Sequence, residues 1–85
     1  MSRKEKIIKR FLSQPKDFSY EELVTLLNIF GYDEVKTGKT AGSRRAFCRQ
    51  VNGHIIRLHK PHPENTMRIY QIDYIILELK KQNMI

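Results

Sequence analysis

The stretch SRRAFCRQVNGHIIRLH, from Ser43 to His59, decides the fold that the sequence predicts. Asn52-Gly53 lies near its middle, and this dipeptide between two strand-forming runs is typical of a β-hairpin because both residues tolerate positive φ. We therefore predict a strand over Ser43–Val51 and a return strand over His54–His59.

The return strand has a predicted inner and outer side. Ile56 and Leu58 share one side of the strand because side chains alternate across a sheet. We predict that these two residues face the core, which places Arg57 and His59 together on the opposite side. A change of register by one residue would invert both assignments.

Three more elements are predicted on either side of this hairpin. A helix starts at Ser19, which forms a capping box with Glu22, and ends at Gly31, a residue type that favours the left-handed turn after a helix. A short polar strand over Tyr32–Thr37 has the composition of a sheet edge. A second amphipathic helix spans Arg68 to about Gln82.

The first residues form a separate segment in this scheme. Ser2–Leu12 has the spacing of an amphipathic helix that ends before Pro15, and the same residues also fit a loosely attached extension. We divide the chain into an N-terminal helical extension over residues 1–17 and a main domain over residues 18–85. The element order predicts the α+β class, with a three-stranded antiparallel sheet and both main helices on one of its faces.

The positive charge of the chain is confined to one segment. The 85 residues carry a net charge of +7, yet Val35 to Pro63 contains no Asp or Glu, and the flanking parts are each balanced. The segment contains seven Lys or Arg residues and all three histidines: Lys36, Lys39, Arg44, Arg45, Arg49, Arg57, Lys60, His54, His59 and His62. A segregated basic surface is typical of polyanion binding, although a solvated charged face is the ordinary alternative.

Histidines among cations suit the cleavage of RNA without a metal ion. A neutral imidazole can take the proton of a ribose 2′-OH, while Arg or Lys neutralises the phosphorane that forms. The candidate catalytic residues are His62 and His59, whereas His54 beside the turn is predicted to be solvent-exposed. The candidate RNA-binding residues are Lys39, Arg44, Arg45, Arg49, Arg57 and Lys60. We expect Arg44, Arg49 and the two catalytic candidates to share one cleft.

Other classes of site are less well supported by the sequence. His59 and His62 alone do not make a zinc site, which needs three or four ligands, so we expect neither a metal nor a cofactor. Phe47 is the one aromatic residue inside the basic segment, which favours recognition of the RNA backbone over base stacking. No apolar stretch approaches the ~20 residues that span a membrane. A single cysteine, Cys48, fits a reducing cytoplasm.

Five short motifs follow one another along the chain. They are Leu26-Leu27-Asn28-Ile29-Phe30-Gly31-Tyr32, Gly42-Ser43, Asn52-Gly53, Leu58-His59-Lys60-Pro61-His62-Pro63 and Met67-Arg68-Ile69-Tyr70-Gln71-Ile72. In this order and at this chain length, they resemble the HicA (YcfA-like) family, the small basic toxins of bacterial toxin–antitoxin pairs. The resemblance extends over roughly residues 19–79.

The resemblance implies a fold, an activity and a partner. The fold is the α-β-β-β-α arrangement of double-stranded-RNA-binding domains, the activity is ribosome-independent cleavage of mRNA by a toxin of a type II system, and the partner is a HicB-type antitoxin. Family members carry a catalytic histidine directly after the Gly-Ser pair. Here Gly42-Ser43 is followed by Arg44-Arg45, and arginine cannot act as a general base because it does not deprotonate.

This departure leaves two hypotheses for the function. In the first, His62 or His59 supplies the base and Arg44 and Arg45 bind phosphate; His62 has the stronger case because it lies between two prolines in an irregular loop. In the second, the protein binds RNA without cutting it. A basic face that docks an acidic protein is a further possibility, and an antitoxin would cover the same face.

Overall fold

The computed structural model describes residues 3–35 and 44–85, which form an α+β domain. The described elements are α1 (Arg3–Leu12), α2 (Tyr20–Ile29), β1 (Tyr32–Val35), β2 (Arg44–Arg49), β3 (Ile55–His59) and α3 (Ile69–Lys81). The predicted order of helices and strands is therefore confirmed. β2 ends at Arg49 and β3 begins at Ile55, whereas the predicted bounds are Val51 and His54. The predicted end of the first strand at Thr37 and the predicted start of the second at Ser43 lie outside the described residues.

The three strands form one antiparallel sheet in the order β1-β2-β3. Tyr32 of β1 lies opposite Arg49 of β2, while Arg44 and Phe47 of β2 lie opposite His59 and Ile56 of β3. β2 is thus the central strand, and β1 and β3 are the edges. The predicted three-stranded antiparallel sheet is confirmed.

The connection between β2 and β3 differs from the predicted turn. The predicted strand bounds leave only Asn52-Gly53 in the turn, whereas the structure closes a four-residue loop. Arg49 N donates to His54 O at 2.8 Å, and Gly53 N donates to Arg49 O at 2.7 Å. The loop adopts positive φ at Gly53 (+74°). A two-residue turn would pair Val51 with His54, and the observed register differs from that pairing by two residues. A shift by two residues changes no faces, so the side chains of β3 keep the faces predicted for them.

The two faces of the sheet have different environments. Ile56 and Leu58 are buried while Arg57 and His59 are exposed, which confirms the predicted alternation of β3. The inward residues join the helices in one core: Phe11, Phe18, Tyr20, Leu23, Leu26, Leu27, Tyr32, Phe47, Ile56, Leu58, Met67, Ile72, Ile75 and Leu79. Because α2 and α3 both contribute to this core, the helices cover the inner face and leave the other face exposed.

Local signals set the ends of α2. The Ser19 hydroxyl accepts a hydrogen bond from Glu22 N at 3.1 Å, and the Glu22 carboxylate accepts one from Ser19 N at 3.1 Å. This is the predicted capping box. After the helix, Gly31 has a φ of +88°, which a residue without a Cβ adopts with little strain. Both predicted boundaries are confirmed.

The N-terminal helix packs onto the main domain. Phe11 is only 1% exposed, and its ring centroid lies 5.2 Å from that of Phe18. Arg10 makes ion pairs of 3.2 Å with Asp17 and with Glu22 of α2. The helix of the segment 1–17 therefore shares the core of the following domain.

The irregular segment between β3 and α3 is fastened to the start of α2. Tyr20 N donates to Asn65 O at 2.9 Å, and Met67 N donates to Phe18 O at 2.7 Å. Met67 is buried in the core. These contacts hold the residues that precede α3 against the start of α2.

Candidate nucleic-acid interface

The exposed face of the sheet, which we call the outer face, is built by every second residue of each strand. Its residues are Asp33 and Val35 of β1, Arg44, Ala46 and Cys48 of β2, and Ile55, Arg57 and His59 of β3. The single acidic residue of this set, Asp33, accepts a hydrogen bond from the side chain of Gln50. The end of the face near His59 therefore has an excess of positive charge.

A groove on the outer face brings two arginines and one histidine together. Arg44 lies directly opposite His59, and Ala46 lies opposite Arg57. The small side chain of Ala46 leaves open space among the longer side chains of Arg44, Arg57 and His59. The resulting basic groove has a volume of about 490 Å³ and is lined by Arg44, Arg45, Ala46, Arg57, Leu58 and His59. Guanidinium groups are well suited to phosphate because they can donate two parallel hydrogen bonds.

A buried amide positions the strand end that carries His59. Gln71 is 6% exposed, and its Nε2 donates to the backbone carbonyl of His59 at 2.8 Å. Its Oε1 accepts a hydrogen bond from Arg68 N at 3.0 Å, at the start of α3. The side chain of Gln71 thus links the end of β3 to the first turn of α3. Leu58, buried beside it, holds the strand in the orientation that leaves His59 exposed.

Arg45 and Lys60 surround a core tyrosine on the helix side of the sheet. The Lys60 ammonium lies 5.2 Å from the ring centroid of Tyr20, whose hydroxyl donates to the Glu34 carboxylate. Burial and the neighbouring Glu34 raise the pKa of Tyr20, and the charge of Arg45 opposes this shift. Arg45 also lines the basic groove and donates to Arg44 O at 2.8 Å. Arg45 therefore has structural contacts as well as a place in the basic groove, whereas Lys60 contacts Tyr20 and is not among the residues that line the groove.

Arg49 lies away from the basic groove. Its register partner is the buried Tyr32, so its side chain belongs to the helix side of the sheet. Its Nε is buried and has no hydrogen-bond partner within residues 3–35 and 44–85. The sequence predicts that Arg49 shares a cleft with Arg44, but the alternation of β2 places these two residues on opposite faces.

The two candidate histidines line different pockets. His62 lines a pocket of about 350 Å³ together with Lys16, Arg68 and the two flanking prolines. His59 lines the basic groove. The sequence predicts one cleft that contains both imidazoles, but the described residues place His59 and His62 in two separate pockets. Lys39, the remaining candidate RNA-binding residue, lies outside the described residues.

His54 has a more specific environment than the sequence predicts. Its side chain is 19% exposed, and Nδ1 lies 2.5 Å from the hydroxyl of Tyr32. Burial raises the pKa of Tyr32, so the phenol stays protonated and can donate to this nitrogen. Nε2 lies 3.6 Å from the Glu78 carboxylate. His54 is therefore mostly buried, and the predicted solvent exposure is wrong. The sequence does not reveal this because Tyr32 and Glu78 are distant from His54 along the chain.

The described residues show neither a metal cluster nor a membrane helix. Among residues 3–35 and 44–85, no three His, Cys, Asp or Glu side chains are grouped so that they could hold a metal ion. No helix in the same ranges has the length and apolar character needed to cross a membrane.

Comparisons with protein-family models, with curated proteins and with solved structures gave no match. The resemblance to the HicA family rests on the sequence motifs given above.

Proposed function

We propose that this protein is an RNA-cleaving toxin of a type II toxin–antitoxin pair, acting in the cytoplasm without a metal ion. The observation that carries the proposal is the basic groove, where Arg44, Arg57 and His59 meet on the exposed face of the sheet. The proposal includes the family's double-stranded-RNA-binding-like fold and a HicB-type antitoxin as partner.

Three side chains of the basic groove, those of Arg44, Arg57 and His59, have roles in the proposed reaction. Arg44 and Arg57 bind the phosphate at the scissile bond and neutralise the charge of the phosphorane. The neutral imidazole of His59 takes the proton of the adjacent 2′-OH, whose oxygen attacks phosphorus. The bond from phosphorus to the 5′-oxygen breaks, this oxygen takes up a proton from water, and the imidazolium of His59 returns its proton to the solvent. The products are a 2′,3′-cyclic phosphate and a 5′-hydroxyl.

The contact between Gln71 and β3 supports His59 as the base. The hydrogen bond from Gln71 to His59 O holds the backbone at the edge of the basic groove. His62 is the other candidate, and it lines a separate pocket whose cations are Lys16 and Arg68. We therefore assign the base to His59, in place of the sequence-based preference for His62.

Incubation of antitoxin-free protein with RNA in the presence of EDTA tests this function. We expect fragments that end in 2′,3′-cyclic phosphate. RNA that stays intact with correctly folded protein, as judged by circular dichroism, would exclude a metal-independent nuclease.

A second candidate function is an RNA-binding module that does not cleave. Two observations favour it: the basic groove contains one histidine among its described lining residues, and Arg44 follows Gly42-Ser43 where the family has its catalytic histidine. This candidate predicts salt-dependent RNA binding without product formation. In either case an antitoxin with an acidic surface would compete with RNA for the outer face, which a displacement assay can measure.

A further inference from the structure

A second groove lies on the other side of β3 from the basic groove. It has a volume of about 350 Å³ and is lined by Arg57, Leu58, His59, Tyr70, Gln71 and Tyr74. Arg57 and His59 line both grooves, so the two are neighbours that meet along β3. We call this second space the tyrosine groove.

The geometry of α3 places its tyrosines along the edge of the sheet. Gln71, near the start of the helix, contacts His59 at the end of β3. Glu78, near the other end, faces His54 just before β3 begins. The helix thus runs antiparallel to the strand, and Tyr70 and Tyr74, one helical turn apart, follow the edge of β3.

Both tyrosine rings are accessible to a ligand. Tyr70 is 70% exposed and Tyr74 is 39% exposed, while Ile72 and Ile75 on the same helix are fully buried. The rings are therefore not needed to fill the core. Aromatic side chains beside a cationic track are the arrangement that binds single-stranded nucleic acid, because bases stack on the rings while cations contact the phosphates.

We propose that the tyrosine groove binds an unpaired nucleobase of the RNA strand whose phosphate lies in the basic groove. This inference rests on the proposed RNA-binding function and adds a substrate preference to it. A base in a duplex is already stacked and paired, so it cannot enter the groove without being extruded. The protein should therefore select single-stranded RNA over double-stranded RNA.

Equilibrium binding to three matched probes tests this preference. The probes are a fluorescent 2′-O-methyl oligouridylate, which cannot be cleaved through a 2′-OH, an abasic oligomer of the same length and phosphate number, and a duplex of the same length. Wild-type protein should bind the oligouridylate roughly fivefold to a hundredfold more tightly than the abasic oligomer, the range expected for one stacked base. The duplex should also bind more weakly than the oligouridylate.

Three variants locate the base. Tyr70→Ala should reduce the preference for the oligouridylate over the abasic oligomer by at least about fivefold, while Tyr70→Phe, which keeps the ring, should retain it. Leu77→Ala is the control, because Leu77 is 54% exposed on the same helix and does not line the tyrosine groove. It should bind all three probes like wild type.

The outcomes separate the two proposals. Equal wild-type affinity for oligouridylate and abasic oligomer would overturn the base site and leave RNA binding intact. An unchanged preference in Tyr70→Ala would do the same. Failure of wild-type protein to bind any of the three probes would overturn both proposals. The comparison of wild-type affinities needs no variant, so it can overturn the base site even if Tyr70→Ala does not fold.

Discussion

At the scale of single residues, the histidines show what a local pattern can predict. The alternation of Ile56 and Leu58 places His59 on the exposed side of β3, and the structure agrees. No comparable pattern applies to His54, whose partners Tyr32 and Glu78 come from another strand and from the last helix. The sequence therefore predicts the face of a strand residue better than it predicts long-range partners.

Tyr20 provides a pH test at the same scale. Burial and Glu34 raise its pKa above the ordinary value near 10, so folding favours the protonated phenol. This contribution to stability is fully present below pH 10 and is lost as the pH rises further, since the unfolded chain ionises first. Between pH 9 and pH 11, wild type should therefore lose more free energy of unfolding than Tyr20→Phe, which has no phenol to ionise at this position. Urea denaturation at both pH values measures it, and a constant difference would contradict the assigned environment.

At the scale of elements, helix ends were predictable and the hairpin loop was not. The capping box of α2 depends on residues three positions apart, which a sequence pattern can contain. The loop after β2 contains Asn52, whose side chain makes one local and one long-range hydrogen bond. It accepts from His54 N at 3.1 Å and donates to Gln82 Oε1 at 2.7 Å. Gln82 lies at the end of α3, so the contact that accompanies the longer loop is a tertiary one.

The end of α2 gives a stability prediction. Gly31→Ala should lower the free energy of unfolding by about 1 kcal/mol, because a Cβ is strained at a φ of +88°. The cause is conformational, since the nearest atom to an added Cβ, Arg49 Cγ, would lie at an ordinary contact distance of 3.9 Å. Gly31→Asn is the matched control and should cost less, because asparagine tolerates the left-handed region better than alanine. Equal losses in the two variants would contradict this explanation.

At the scale of the whole molecule, the basic segment of the sequence does not form one continuous basic surface. Residues 35–63 carry the net charge, but the alternation of β2 directs Arg44 to the outer face and Arg49 to the helix side. Arg45 and Lys60 contact Tyr20. Composition alone predicts a polyanion-binding protein. Which cations lie on the binding face depends on the strand register, and composition carries no information about register.

The salt dependence of RNA binding tests which cations belong to that face. Arg57→Ala should make the slope of log affinity against log salt concentration shallower by about 0.7 to 1, the value for one lost phosphate contact. Arg3→Ala, which removes the same charge from an exposed position at the start of α1, should leave the slope near that of wild type. Equal changes in the two variants would indicate a diffuse attraction to the net charge and no defined groove.

RNA cleavage by wild type, His59→Ala and His62→Ala in EDTA, with 2′,3′-cyclic phosphate ends as the readout, tests whether the basic groove is the site of the reaction. We expect His59→Ala to lower the rate by ~10²-fold or more, because it removes the general base from the basic groove. His62→Ala should cleave at close to the wild-type rate, because His62 lines a different pocket. Undiminished cleavage by His59→Ala, or a loss confined to His62→Ala, would show that His59 is not the general base.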